Sequence, residues 1–264
     1  MPERVRREIL ITAMTYPELS TKYRESACTG GVFMDTQEWC RIYPMPIRYL
    51  AERVHRWDVI SATVWQDPSK DSRPESWRVD ADSIKAVGKI STGRGHPPTW
   101  ERRRQLLLSP ERCFESIERL KECQKSVGTS LGLIVPREGG RVSIEPRLAA
   151  DEKAWQDKLH LVIDQGDLLE RHRLRALDYL PNRIKVDFRC RGSQCRGHDC
   201  VVLDWEICEL ARRESWDMAK EKLQTLLGSE YETQFMMGNF SKHLRSFGIV
   251  GIWYPKAQRQ RRLL

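Results

Sequence analysis

Polar and apolar positions alternate most regularly between Arg183 and Arg191. Ile184, Val186, Phe188 and Cys190 take the even positions, and Arg183, Lys185, Asp187, Arg189 and Arg191 the odd ones. Side chains on a strand point to opposite faces with period two, so this stretch predicts a strand with one buried face and one largely basic face. Near the N-terminus the apolar run at residues 7–14 predicts a buried first strand. Residues 30–34 and 39–45 flank the turn residues Asp35, Thr36, Gln37 and Glu38 and predict a hairpin. Its returning strand places Cys40 and Ile42 on one face and Trp39, Arg41, Tyr43 and Met45 on the other. Pro44 and Pro46 close that strand. A helix is then expected over 47–57, carrying Arg48, followed by a strand over 58–65, a polar loop over 67–75, extended chain over 77–90 and a break at 91–98.

Further along, helices are expected over 100–108 and 110–126, the latter started by Ser109, Pro110 and Glu111. Residues 130–135 and 141–145 read as a strand pair around Gly139 and Gly140. The segment 149–180 has a helical pattern interrupted at Gly166. Asp204 is placed to cap a helix running to about Leu227, through Ala211, Ser215, Met218 and Leu223. Strands over 235–239 and 247–253 end the pattern, before a basic tail with Arg259, Arg261 and Arg262. A boundary after Pro146 divides the chain into residues 1–146 and 147–264. The fold class expected is α+β and β-rich, with two halves of short strands and inserted helices that suit small barrels or sandwiches.

Charge adds a partner class to this outline. The net charge is +8 and the pI about 9.1, and a basic chain of this kind points to a polyanion, most commonly nucleic acid. No run approaches the ~20 apolar residues of a spanning helix, and the N-terminus reads as a strand, not a signal peptide, so a cytoplasmic protein with no membrane partner is expected. The strand residues Arg183, Lys185, Arg189 and Arg191, with Arg196 beyond them, are candidate phosphate contacts. So are Arg41 and Arg48, with Trp39 and Tyr43 placed to stack on bases. Two plain alternatives stand beside these: a basic strand face that is merely solvated, and aromatic rings packed under a neighbouring element.

Four of the eight cysteines, Cys190, Cys195, Cys200 and Cys208, fall between Arg183 and Cys208 with His198 among them, in and after a loop containing Gly192 and Gly197; Cys208 is expected on a helix beyond that loop. Thiolates and imidazole are the usual ligands of structural zinc, and Cys190, Cys195, His198 and Cys200 are the expected set. The competing readings are reduced thiols packed as small apolar groups, an iron–sulfur cluster and a disulfide network. Asp204 and Glu206 form a D-x-E pair that on a strand could hold Mg²⁺ for nucleic-acid cleavage, but a helix cap would separate them. No G-x-S-x-G and no P-loop is present. A non-catalytic binder of DNA or RNA is therefore expected, with a protein-binding scaffold or regulatory subunit and a metal-dependent nuclease as alternatives.

Several fragments share an order with a known family. They are Tyr16-Pro17, residues 26–30 (SACTG), Arg41-Ile42-Tyr43-Pro44 with Pro46 and Arg48, and residues 130–136 (SLGLIVP). Phe188 to His198, Asp204-Trp205-Glu206, Met237-Gly238-Asn239 and residues 247–255 (FGIVGIWYP) complete the set. Together they resemble a bacterial family described as dual OB-containing and nucleic-acid-binding, linked to conflict systems against phage and mobile elements. The resemblance spans nearly the whole chain. It implies two OB-like barrels in tandem and an accessory role in antiviral defence beside other protein subunits. Cys190, Cys195 and His198 match the C…C-x-G-H portion of the family, and the resemblance assigns neither Cys200 nor Cys208, which leaves the fourth ligand open.

Overall fold

The computed structural model describes residues 2–20, 22, 24–45, 54–94, 100–137, 139–164, 178–193 and 195–257. The helix expected over 47–57 lies mostly outside these residues. Arg48, the interruption at Gly166 and the arginines of the C-terminal tail lie wholly outside them.

The N-terminal half is a closed five-stranded barrel. Its strands are β1 (Val5–Met14), β3 (Arg24–Phe33), β4 (Trp39–Met45), β5 (Asp58–Trp65) and β6 (Ser76–Val79). β1 pairs with β3, β3 with β4, β4 with β6 in parallel, β6 with β5, and β5 back to β1. The short strands β2 (Glu18–Ser20) and β7 (Lys85–Lys89) extend it at β3 and β5. The alternation that predicts the hairpin also fills the barrel: Ile9, Ile11, Phe33, Cys40, Ile42, Ile60, Ala62 and Val64 form its core. Gly31 is needed where β1 and β3 close up. A side chain there would meet Ile9 Cγ2 at 2.7 Å and the Leu10 carbonyl oxygen at 2.8 Å.

The C-terminal half has two sheets. One runs β10 (Arg141–Pro146), β11 (Asn182–Phe188), β12 (His198–Val201). The other runs β14 (His243–Trp253), β13 (Gln234–Phe240), β9 (Leu131–Ile134), β8 (Cys113–Phe114). They meet at two isolated bridges, Pro136–Cys190 and Val202–Ile249, and enclose one apolar core that includes Val186, Phe188, Phe235 and Ile249. β9 and β10 are not partners of each other. β9 pairs with β13 and β10 with β11, so the ladders of both C-terminal sheets cross a boundary placed after Pro146.

Five α-helices are present among the described residues: α1 (Glu101–Leu107), α2 (Ile117–Val127), α3 (Ala149–Asp164), α4 (Trp205–Arg213) and α5 (Trp216–Leu226). Two helix starts differ from expectation for a hydrogen-bonding reason. Ser109 makes no side-chain cap and begins only a single 3-10 turn, whereas Ser116 accepts from the Arg119 N–H at 3.2 Å and starts α2. Asp204 does cap α4, but Ser215 accepts from the Met218 N–H at 3.1 Å and opens a second helix, so the one long helix becomes two.

The two halves share a seam. Leu10, Ala13, Trp57 and Val59 of the barrel pack with Leu106, Leu107, Leu133, Met236, Val250 and Trp253. Trp253 stands edge-on to Trp57 and to Trp100, at ring separations of 5.9 and 5.1 Å. All nine tryptophans are described, and each is buried or half-buried.

Candidate functional site

Two of the hairpin residues expected at a binding surface are taken up by the seam. Arg41 is 2% exposed; its guanidinium donates to the Ser130 carbonyl at 2.7 Å and to Cys28 Sγ at 3.0 Å. Trp39 is half-buried under the Arg112 guanidinium, 5.6 Å from its ring, and its Nε1 is buried without a hydrogen-bond partner among the described residues. The outward face of β4 is outward only from the barrel, and the C-terminal half covers most of it. Tyr43 alone of the three remains open, 39% exposed, with its hydroxyl accepting from Ser26 Oγ at 3.2 Å.

The basic face of β11 is real in register but not in charge. The even positions from Ile184 to Cys190 are buried, as the alternation requires. On the odd face, Arg183 meets Asp151 at 2.8 Å, and Lys185 meets Asp199 at 2.7 Å and Glu145 at 3.0 Å. The bonds to Asp199 and Glu145 hold the Lys185 ammonium above its ordinary pKa. β10, β12 and α3 thus supply the acids that neutralise this end of the strand. Arg189, Arg191 and Arg196 are exposed at the other end, around the cysteine loop.

A cavity of about 250 Å³ opens on the barrel where sequence reasoning had marked only Arg41 and Tyr43. Its walls come from the β1–β3 connection (Thr15, Tyr16, Glu18), the β3–β4 face (Ser26, Cys28, Tyr43) and the β5–β6 loop (Asp67, Lys70, Arg73), and Phe240 of β13 closes it. Arg73 is fixed by Asp71 and donates to the Asn239 carbonyl at 3.1 Å, which ties the β5–β6 loop to the turn end of the β13–β14 hairpin. Burial pushes the Asp71 carboxyl up, but its bonds from Arg73 and Ser76 outweigh this and hold it below the usual range. A second cavity of about 450 Å³ shares Tyr16, Glu18, Leu203 and Phe240 with the first. It continues past Arg147, Lys158 and Arg183 to the Trp155 and Tyr179 rings, which lie 5.5 Å apart. Nothing in the local sequence around Phe240, Lys158 or Trp155 marks them, because the two cavities are assembled from segments distant in the chain.

The cysteine loop brings together a set that differs from the expected one by a single residue. Ligand atoms of Glu118, Cys190, Cys195 and His198 all lie within 4.8 Å of one another. Cys200 is not among them; it is 6% exposed in the apolar core, opposite Val186 in the ladder, and burial pushes its thiol up to about 12. Cys208 is likewise in the core, on α4. The carboxylates of the D-x-E pair share a cation already. The Arg56 guanidinium lies 3.8 Å from Asp204 Oδ2 and 3.2 Å from Glu206 Oε2.

The chain matches no curated protein. Residues 5–109, the barrel with α1, match a family model described as a domain of unknown function, DUF8758. Residues 111–264, more than half of the chain, match a second, described as Domain of unknown function (DUF8757), and the chain belongs to that family.

Proposed function

We propose that this protein binds single-stranded nucleic acid, without catalysis, in the cleft on its barrel. The observation that carries the reading is where the cavity lies. The barrel strands in chain order pair as first–second–third–fifth–fourth–first, with the third and fifth parallel, which is the OB topology. OB barrels bind oligonucleotides on the face of their second and third strands between the loops that follow the first and fourth. Those strands are β3 and β4 here, and the cavity lies between the β1–β3 and β5–β6 loops. An open aromatic ring, Tyr43, and an exposed cation, Lys70, line it, the pairing that single strands require for stacking and phosphate contact.

The C-terminal half supports the reading as a second, distorted barrel. β9, β13, β14, β12 and β11 follow one another in a ring that the Val202–Ile249 and Pro136–Cys190 bridges close at single points. An accessory role in a prokaryotic defence system rests on the family resemblance of the fragments set out above.

Variants test the cleft. Tyr43→Ala is expected to weaken single-strand binding by about 1–3 kcal/mol, the worth of one stacked base. Lys70→Ala is expected to reduce the steepness of the salt dependence by about 0.7, the share of one phosphate on a single strand. Lys220→Ala, at an exposed position of α5 and outside both cavities, serves as control. Anisotropy titrations with fluorescent oligonucleotides read all three. Equal affinities and equal salt slopes for the three variants would place binding elsewhere.

A further inference from the structure

Glu118 sits in the first turn of α2, Cys190 two residues beyond β11, Cys195 in the loop and His198 at the start of β12. We propose that these four side chains hold one zinc ion, with Glu118 and not Cys200 as the fourth ligand. The donor set is two sulfurs, one imidazole nitrogen and one carboxylate oxygen, all of them established zinc ligands. Zinc–nitrogen and zinc–oxygen bonds of ~2.0–2.1 Å in a tetrahedron put their two donor atoms about 3.3 Å apart, and zinc–sulfur bonds of ~2.3 Å put two sulfurs about 3.8 Å apart. His198 Nε2 and Glu118 Oε2 are already 3.3 Å apart. The widest separation in the group, at most 4.8 Å, needs only about 1 Å of contraction to reach a tetrahedral edge.

The second observation is unsatisfied polarity. His198 Nε2 and Glu118 Oε2 are both buried, and neither makes a hydrogen bond among the described residues. The His198 side chain is only 10% exposed. Their one mutual contact, at 3.3 Å, lacks hydrogen-bond geometry; buried polar atoms without a hydrogen bond are rare, and one cation between the two would satisfy both. The two cysteines are unbonded to each other, and Cys195 Sγ instead accepts from the Cys190 N–H at 3.0 Å. Such N–H contacts are ordinary for a thiolate that binds metal.

Loading the site releases the two thiol protons to solvent and leaves two thiolates, one carboxylate and a neutral imidazole around Zn²⁺, a net charge of −1. Arg196 lies inside the same loop, two residues from His198. Four protein ligands close the coordination sphere, so the ion holds structure and does not activate water. It would pin the loop that carries Arg191 and Arg196 to the first turn of α2, which the Gly192 N–H to Glu115 carbonyl bond of 2.9 Å already begins. Glu118, with a third of its side chain exposed, gives the ion its way in.

The full chain, purified without added metal, is expected to carry close to one zinc by elemental analysis. Loss of even a residue that supports a ligand lowers zinc affinity ~10–100-fold, so Glu118→Gln and Cys195→Ser should lose at least that much in a chelator competition. Cys200→Ser should keep its zinc. Cobalt exchanged into the wild-type chain should show thiolate charge-transfer absorption and the intense visible bands of a tetrahedral ion, a readout that needs no variant to fold. Cobalt bound without those bands would overturn the proposal, as would protein free of metal. Zinc lost from Cys200→Ser but kept by Glu118→Gln would restore the cysteine as ligand and reject Glu118.

Discussion

Arg56→Met is expected to cost about 3–5 kcal/mol, the loss typical when one partner of a buried ion pair is removed. Arg56 is 6% exposed and joins four segments at once. It donates to the Thr12 carbonyl at 2.8 Å, to the Ile252 carbonyl and to Glu206 at 3.2 Å, and it faces Asp204. Without it the Asp204 carboxylate, 2% exposed, is left in the core with only its helix-cap bonds. Asp204→Asn keeps a side-chain oxygen for the cap. The double variant should therefore recover part of the loss, and urea melts of the four proteins in the cycle measure the coupling. A loss of about 0.5 kcal/mol or less for Arg56→Met, the scale of a surface substitution, would show that the network is not buried as described.

The same network gives a pH dependence. Burial pushes the Asp204 carboxyl up to about 6, against the pull of Arg56 in the other direction. A carboxyl raised above its unfolded value, near 4, favours the folded state while protonated. Its contribution is full below about pH 4 and is lost as pH rises through about 6. The stability of the wild-type chain relative to Asp204→Asn should accordingly fall across that window and level off above it. A relative stability that rises across the window would reverse the sign.

Trp253→Ala is expected to cost a further ~3–5 kcal/mol on its own, because truncating a fully buried large aromatic leaves a cavity that neighbours only partly fill. Trp253 is 0% exposed and touches Trp57 of the barrel side and Trp100 before α1. Since Leu10 and Trp57 share its cluster with Leu133 and Met236, the two halves should unfold together. Near- and far-ultraviolet circular dichroism would report coincident transitions in the wild type. Two separated transitions, or a loss under ~1 kcal/mol in Trp253→Ala, would mean that the seam is a loose contact between independent units.

What could be read from the chain was what a single segment carries. The β11 alternation is legible because period two is local, and the Asp204 cap because its partner is three residues away. Ser109 and Ser116 present the same side-chain chemistry, and only the turn geometry decides which one caps α2. Trp39 and Arg41 were marked for ligand by their alternation, yet Ser130 and Arg112 claim them from far along the chain. Lys185 was marked by its own charge, and Glu145 and Asp199 are invisible as its partners until β10 and β12 pair with β11. Glu118 was missed for the same reason: a carboxylate in the first turn of a helix has an ordinary role there, and only the fold brings it to Cys190 and His198. The second cavity wall, with Phe240 and Trp155, is likewise a product of assembly.

The central claim is single-strand binding in the barrel cleft, and its most direct measurement is affinity as a function of salt for matched single-stranded and duplex oligonucleotides of about 16 nucleotides, the upper size of one OB site. Single strands should bind more tightly than the duplex at every salt concentration. Each phosphate contacted should add about −0.7 to the slope of log K against log salt. Binding that is indifferent to salt, or a duplex bound as tightly as the single strand, would contradict the account.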